Sequence, residues 1–214
     1  MKRSTFTEQY FLLTMNRKGK INSLDTRSRV CLVMAALLDL QEADLIELHK
    51  KEIQLKQRFL PEELTFLKSV AERLSAYKRP TLDNVANTYA AAALDREINQ
   101  LMTDIRIELI QKGVVHADSI HENSSAYLVD ERVIEGLVAA LSQQLFFPND
   151  QRLLILLFLL QKTGQLKHYF TAGERKQAKQ MLQLLKNSNE AKQTQRMLDQ
   201  IDRMYMAVYA LTVL

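Results

Sequence analysis

Turn-forming residues are scarce in this chain, and this limits the folds that it can adopt. Among 214 residues there are only five glycines and three prolines. A chain so poor in both makes few tight turns, so we expect long helices and few hairpins. The same scarcity argues against Walker-type and Rossmann-type nucleotide sites, because both need a glycine-rich loop around the phosphates.

The segment 26–41 is apolar on nearly every side (VCLVMAALLDL in its middle), which predicts a helix buried at the centre of the fold. Its Cys31 is the single cysteine and cannot form an internal disulfide, so we interpret it as a buried thiol in a reducing, cytoplasmic setting. The apolar run 153–160 (LLILLFLL) is shorter than the roughly 20 residues that cross a bilayer, and we expect a core helix there.

Capping residues mark where several other helices begin. Thr5 with Glu8, and Thr171 with Glu174, have the spacing of capping boxes. Thr81 is expected to cap a long helical stretch that contains a break. Together with the apolar periodicity, these signals predict helices over residues 5–19, 26–41, 61–79, 81–113, 131–145, 150–162, 172–185 and 190–214.

Two segments change to alternating apolar and polar residues. Residues 45–48 and 53–55 flank a polar HKKE turn, and residues 114–115 and 126–129 frame a second hairpin with a polar tip. There is no linker of domain size. We therefore predict a mainly α, compact single domain over residues 1–214, with amphipathic helices around a buried central helix and small β-hairpins.

No pattern of catalytic or cofactor-binding residues stands out. Cys31 has no acid–base partner near it in sequence, and there is no Gly-x-Ser-x-Gly elbow. The segment HADSIHE contains His116, Asp118, His121 and Glu122, but their spacing matches no established zinc pattern. We expect no enzyme activity, no cofactor and no metal, while a catalytic pair from distant segments stays open.

The net charge of +4 is unevenly distributed. Residues 161–203 contain nine basic and four acidic residues. This surplus suits an anionic partner, either a lipid surface or a nucleic acid, although a solvated helix face explains such an asymmetry more often. The apolar face of 172–185 is expected to pack on the core rather than on a membrane.

Three stretches resemble the Golgi phosphoprotein 3 family, which has eukaryotic and bacterial members. They are FTEQYFLLTMNRKGKI followed by MAALLDLQEADLIEL, then IRIELIQKGVV, and finally NDQRLLILLFLLQKTGQLKHYF with ERKQAKQMLQLL. They occur in the family's order over nearly the whole chain. The resemblance implies the family's helical globule and a peripheral membrane protein; the better-known members bind phosphatidylinositol 4-phosphate on Golgi membranes and recruit glycosyltransferase tails.

The family's headgroup pocket uses a tryptophan and three arginines, and this chain departs from all four. The tryptophan falls on Leu24, the arginine of the central helix on Val33, and the paired arginines on Asn99 and Met102. Charge-assisted hydrogen bonds to a phosphate contribute about 1.5–3 kcal/mol each, so the loss of three arginines is substantial.

Three other arginines lie close to these positions in sequence. Arg29 precedes the Val33 position by one helical turn, Arg96 lies three residues before Asn99, and Arg106 lies four residues after the Met102 position. We therefore predict an anionic headgroup site formed by Arg29, Arg96, Asn99 and Arg106. In the alternative, the arginines form surface ion pairs of little energy with Asp25, Asp95 and Asp104.

Three functions stay open from the sequence. The first is a peripheral membrane adaptor that binds an anionic lipid headgroup, as the resemblance implies. The second is a winged-helix-like nucleic-acid binder, which the polar tip HENSS disfavours because a DNA-contacting wing would carry Lys or Arg. The third is a protein-interaction scaffold. We expect an anionic membrane lipid as partner and leave protein partners and homo-oligomers open.

Overall fold

The computed structural model describes residues 4–14, 26–49, 51–57, 59–91, 96–117, 127–187 and 192–212. These residues are mostly helical, with two antiparallel hairpins, as predicted. The helices are α1 (Phe6–Thr14), α2 (Thr26–Glu42), α3 (Lys68–Ala76), α4 (Leu82–Ala86), α5 (Arg96–Gln111), α6 (Glu131–Gln144), α7 (Gln151–Lys162), α8 (Ala172–Asn187) and α9 (Lys192–Thr212). The strands are β1 (Ile46–His49), β2 (Glu52–Leu55), β3 (Val115–Ala117) and β4 (Tyr127–Val129).

Helix α2 lies at the centre of the described fold. Every residue from Val30 to Leu40 has at most 3% of its surface exposed, and α1, α4, α7 and α9 all contact this helix. A helix that is apolar all round needs neighbours on every side, and these four helices provide them. The predicted central helix is confirmed, and so is the burial of the free Cys31 thiol within it.

The capping signals are formed as the sequence predicts. The Thr5 N–H donates to Glu8 Oε2 at 2.9 Å, while the Glu8 N–H donates to Thr5 Oγ1 at 3.2 Å. A reciprocal pair of bonds joins Thr171 and Glu174 at the start of α8. Thr81 Oγ1 accepts the N–H of Asn84 at 3.1 Å and so caps α4.

The expected break in the long stretch after residue 81 is also present. Helix α4 ends at Ala86, a π-helical turn follows over Asn87–Ala91, and α5 begins at Arg96. The segment after Pro61 differs in detail, since it starts as a 3-10 helix (Glu62–Leu67) before α3 continues it.

The first hairpin is tighter than the sequence pattern suggests. His49 pairs with Glu52 and Ile46 with Leu55, so each strand extends one residue further into the HKKE segment than expected. The tip of the second hairpin, including Asp118, His121 and Glu122, lies outside the described residues; His116 lies in β3.

A buried carboxylate joins α2 to the start of α1. Asp39, which is 3% exposed, accepts the N–H groups of Phe6 and Thr7 at 2.8 Å each and the Thr7 hydroxyl at 2.6 Å. The first N–H groups of a helix have no partner within the helix, so this side chain caps α1 from a distance. The Arg152 guanidinium lies 4.0 Å from Asp39, pairs with Glu42 and stacks over the Phe6 ring.

A second buried carboxylate joins α1 to the end of α5. Glu8 is fully buried and forms an ion pair with Lys112, whose Nζ also lies 2.9 Å from Glu108. The next residue, Gly113, has a φ of 68°, and the Val114 N–H donates to the Leu109 carbonyl at 3.0 Å. This left-handed ending is typical of a glycine-terminated helix. The Lys-Gly-Val turn therefore has a structural role in this chain.

Candidate functional site

A polar pocket of about 420 Å³ lies where α3, the π-helical turn Asn87–Ala91 and the start of α5 meet. We call it the arginine pocket, because it brings together arginines from two helices. It is lined by Ser69, Glu72, Arg73, Ala76, Tyr89, Arg96, Glu97 and Gln100.

Helix α3 presents one face to this pocket. Ser69, Arg73 and Ala76 follow each other at intervals of four and three residues, which places them on the same side of a helix. The Ser69 hydroxyl donates to Asp104 Oδ2 at 3.1 Å and thereby fastens α3 to α5. Since α5 packs against α3, the first turn of α5 completes the pocket.

The two arginines differ in their electrostatic surroundings. Arg73 forms an ion pair with Glu97, and the two side chains are 42% and 24% exposed. A pair this exposed contributes less than about 1 kcal/mol, so an incoming anion can compete with Glu97 for the guanidinium. Arg96 is exposed, and no carboxylate in the described part of the chain pairs with it.

Uncharged donors complete the lining. Tyr89 is only 3% exposed, and burial raises the pKa of its phenol well above the usual range, so the hydroxyl keeps its proton at neutral pH. The Gln100 amide donates to Asp104 Oδ1 at 2.8 Å. The Ser69 hydroxyl proton is already donated to Asp104. The pocket can therefore offer two guanidinium groups, a phenol and the second N–H of the Gln100 amide to an oxyanion, against two glutamates in its wall.

The four residues predicted from the sequence are distributed over two helices. Arg96 lines the arginine pocket, and Asn99 is exposed one turn further along α5. Arg106 is partly buried about 15 Å along the same helix from Arg96, at 1.5 Å per residue. Arg29 is partly buried on α2 and has interactions of its own. Only Arg96 is in the pocket lining, and an anion-binding role for the four stays a prediction.

The proposed ion-pair alternatives are only partly visible. Asp25 and Asp95 lie outside the described residues. Asp104 accepts hydrogen bonds from Ser69 and Gln100 instead of lying in an isolated surface pair.

Two of the three positions that hold arginines in the resembling family are apolar and buried here, while the third, Asn99, is exposed. Val33 is fully buried in α2 and Met102 is 9% exposed in α5, so both belong to the core. Leu24 lies outside the described residues. A headgroup site at the family's own position would need cations where this chain has packed side chains.

Sequence reasoning missed Arg73 and Tyr89. The helical spacing of Ser69, Arg73 and Ala76 is visible in the sequence, but nothing in it shows that this face meets Arg96, 23 residues later in the chain. Tyr89 reads as an ordinary apolar core residue. Only the packing of α3 on α5 reveals the pocket.

No helix within the described ranges combines the length and the hydropathy needed to span a membrane.

Comparison with known proteins agrees with the resemblance of the sequence stretches. The family model described as Golgi phosphoprotein 3 (GPP34) matches residues 6–201. No curated protein shows a significant match to the chain. The family match runs from the first residue of α1 into α9 and includes the central helix, both hairpins and the arginine pocket. The chain therefore belongs to the Golgi phosphoprotein 3 (GPP34) family.

Proposed function

We propose that this chain is a non-enzymatic, peripheral membrane adaptor that binds an anionic lipid headgroup in the arginine pocket. Family membership supports a protein of the Golgi phosphoprotein 3 type. The observation that carries the proposal is the convergence of Arg73 and Arg96, from two helices, on one solvent-accessible pocket that also contains neutral donors. Phosphatidylinositol 4-phosphate is the headgroup that the family resemblance suggests.

A phosphate group can be held here by charge-assisted hydrogen bonds. Arg96 would supply one guanidinium directly, and Arg73 would exchange Glu97 for the ligand. The bond to Glu97 and a bond to phosphate are both charge-assisted, so the ligand competes with Glu97 for Arg73 on similar terms. What favours the ligand is the additional bond to Arg96 and the charge of about −2 on a phosphate monoester. The Tyr89 phenol would donate without any change of charge.

The glutamates of the pocket set a limit on affinity. Glu72 is exposed on the rim, and Glu97 lies beside Arg73. Each carboxylate repels a phosphate across a short, solvent-screened distance. We therefore expect moderate, salt-sensitive binding, and we expect Glu72→Gln to strengthen it.

The test is co-sedimentation with phosphatidylcholine vesicles that contain phosphatidylinositol 4-phosphate, phosphatidylserine or no anionic lipid. The double variant Arg73→Ala/Arg96→Ala should lose most of the phosphoinositide-dependent binding. The control Lys78→Ala/Arg79→Ala removes the same charge from exposed positions that do not line the pocket. Equal binding by the two double variants would refute the proposed site.

A protein-interaction scaffold is the second candidate, and one observation favours it. Phe146 and Phe147 are 64% and 73% exposed in the connection between α6 and α7. The turn holds them outward, because Gln144 Oε1 accepts the N–H groups of Asn149 and Asp150 at 3.1 and 2.9 Å. If phosphoinositide vesicles bind no better than plain ones, the next experiment compares partner capture by the wild type and by a Phe146→Ser/Phe147→Ser variant.

A further inference from the structure

An apolar groove of about 500 Å³ runs along the other flank of α3, between this helix and the first hairpin. Its floor consists of side chains that belong to the core. Phe59 stands beside it with 90% of its surface exposed, which leaves a large aromatic ring in water. The residues of the floor are Leu40, Leu45, Ile46, Leu60 and Leu74.

The groove and the arginine pocket share a wall. Glu72 and Ala76 line both cavities, since they occupy the outer crest of α3. At 100° per residue, Ser69 and Arg73 fall on the pocket side of this crest, while Ala71 and Ser75 fall on the groove side. A helix is about 10–12 Å wide with its side chains, so a ligand crossing the crest needs to span only about that distance.

We propose that the apolar groove holds one acyl chain of the anionic lipid whose headgroup lies in the arginine pocket. This inference rests on the proposed function and adds a second binding subsite to it. The lipid lies across the crest of α3, with the phosphate on the side of Arg73 and Arg96 and the chain against the floor of the groove. Phe59 covers the chain from outside.

The distribution of polar groups favours an acyl chain over a peptide. The polar residues of the groove are all exposed at its rim, and the floor is apolar; they are Gln57, Thr65, Lys68, Glu72 and Ser75. A peptide backbone in contact with this floor would leave N–H and C=O groups without partners, whereas a hydrocarbon chain has none to satisfy. The groove's volume lies within the roughly 300–1,000 Å³ that is common for small-ligand sites.

The chain contains no tryptophan, so the fluorescence of a single introduced tryptophan reports on the surroundings of that residue alone. Phe59→Trp places it at the groove, and Phe147→Trp places it at an exposed site that does not line the groove. Dibutanoyl and dioctanoyl phosphatidylinositol 4-phosphate are compared in monomeric solution. Each buried methylene should tighten binding about fourfold. We expect the dioctanoyl lipid to bind at least tenfold tighter, with a blue shift of Trp at residue 59 and none at residue 147.

Two variants separate the subsites. Ala71→Phe fills the groove and should remove the advantage of the longer chain while dibutanoyl binding stays, whereas Ala139→Phe on the exposed face of α6 should change neither. Phe59→Ser, at a position too exposed to affect folding, should also weaken only dioctanoyl binding. Circular dichroism checks that each variant is folded.

The outcomes are distinguishable. Equal affinities for the two lipids, both lost in Arg73→Ala/Arg96→Ala, would overturn the groove assignment and leave the headgroup site intact. Binding of neither lipid would refute the proposed function itself. A blue shift at residue 59 that grows with protein concentration in the absence of lipid would mean that a second copy covers the groove, and it would also overturn the inference.

Discussion

Replacing Asp39 by asparagine tests how the start of α1 is held on the central helix. Three donors from Phe6 and Thr7, the nearby Arg152 and the positive end of α1 all favour an ionised carboxylate. Burial opposes them and is the largest effect. It raises the pKa of Asp39 from 3.8 to about 6. Once protonated, Asp39 can donate to the Thr7 hydroxyl oxygen, 2.6 Å away, and still accept from both N–H groups.

The sign of the pH effect follows from the direction of this shift. Between the unfolded pKa of 3.8 and the folded value of about 6, the folded protein binds more protons at Asp39 than the unfolded chain does. The contribution of Asp39 to stability is therefore complete below the lower value and is lost as the pH rises through the upper one. A shift of this size corresponds to about 3 kcal/mol, at roughly 1.4 kcal/mol per pKa unit.

Asp39→Asn removes the titration and keeps the size of the side chain. The free energy of unfolding is measured by urea denaturation, followed by circular dichroism, from about pH 4 to about pH 7. The difference between wild type and variant should change by about 2.4 kcal/mol over this range, with the wild type losing stability relative to the variant. The control Asp44→Asn makes the same chemical change at an exposed carboxylate that pairs with Lys56, so the comparison separates the loss of a surface charge from the loss of the buried one.

The opposite sign would refute this reasoning. If the wild type gains stability over Asp39→Asn as the pH rises, the hydrogen bonds and Arg152 outweigh burial and hold the carboxylate ionised. A difference that stays constant with pH would show that Asp39 does not titrate in this range.

Three further predictions use other parts of the structure. Lys112→Met should lower the free energy of unfolding, measured by urea denaturation, by about 3 kcal/mol, because it leaves the buried Glu8 carboxylate without its ion-pair partner. Adding Glu8→Gln should recover part of this loss. If the effects of the two substitutions simply add, the two residues do not interact. Because the Cys31 thiol is fully buried, it should react with a thiol reagent only as fast as the protein unfolds, which stopped-flow absorbance measures. Rapid labelling of the native protein would contradict this and place α2 at the surface. Asn99→Arg adds an exposed cation one turn from Arg96, so vesicles with phosphatidylinositol 4-phosphate should bind it several-fold more tightly, and unchanged binding would place the headgroup elsewhere.

Those parts of the fold that depend on local sequence could be predicted. The apolar run 30–40 can be stable only in the interior, and the capping boxes at Thr5 and Thr171 are formed by residues three apart. The predicted extent of the first hairpin was wrong by one residue on each strand. His49 and Glu52 are polar and were assigned to the turn, but they pair with each other as strand residues. Polarity alone does not separate an exposed strand residue from a turn residue.

The candidate site was much less predictable, because it depends on contacts between distant segments. Arg96 was selected by its distance in sequence from a family position, and it does line a pocket. Arg73 comes from another helix, and only the packing of α3 against α5 brings it there. Asp39 is a charged residue within an apolar helix, and its partners at Phe6 and Thr7, more than 30 residues away in the sequence, explain its presence.

The difference between buried and exposed positions explains how this chain can keep the family's fold without the family's arginines. Val33 and Met102 lie in the core, where a guanidinium would need both solvation and a partner, so apolar side chains at these positions favour folding. Arg96 and Asn99 in the first turn of α5 are exposed, and at an exposed position a cation costs little and remains accessible to a ligand. We therefore expect headgroup recognition in this chain at the exposed pocket beside Arg96, between α3 and α5. The buried side chains of α2 and α5 contribute to core packing instead.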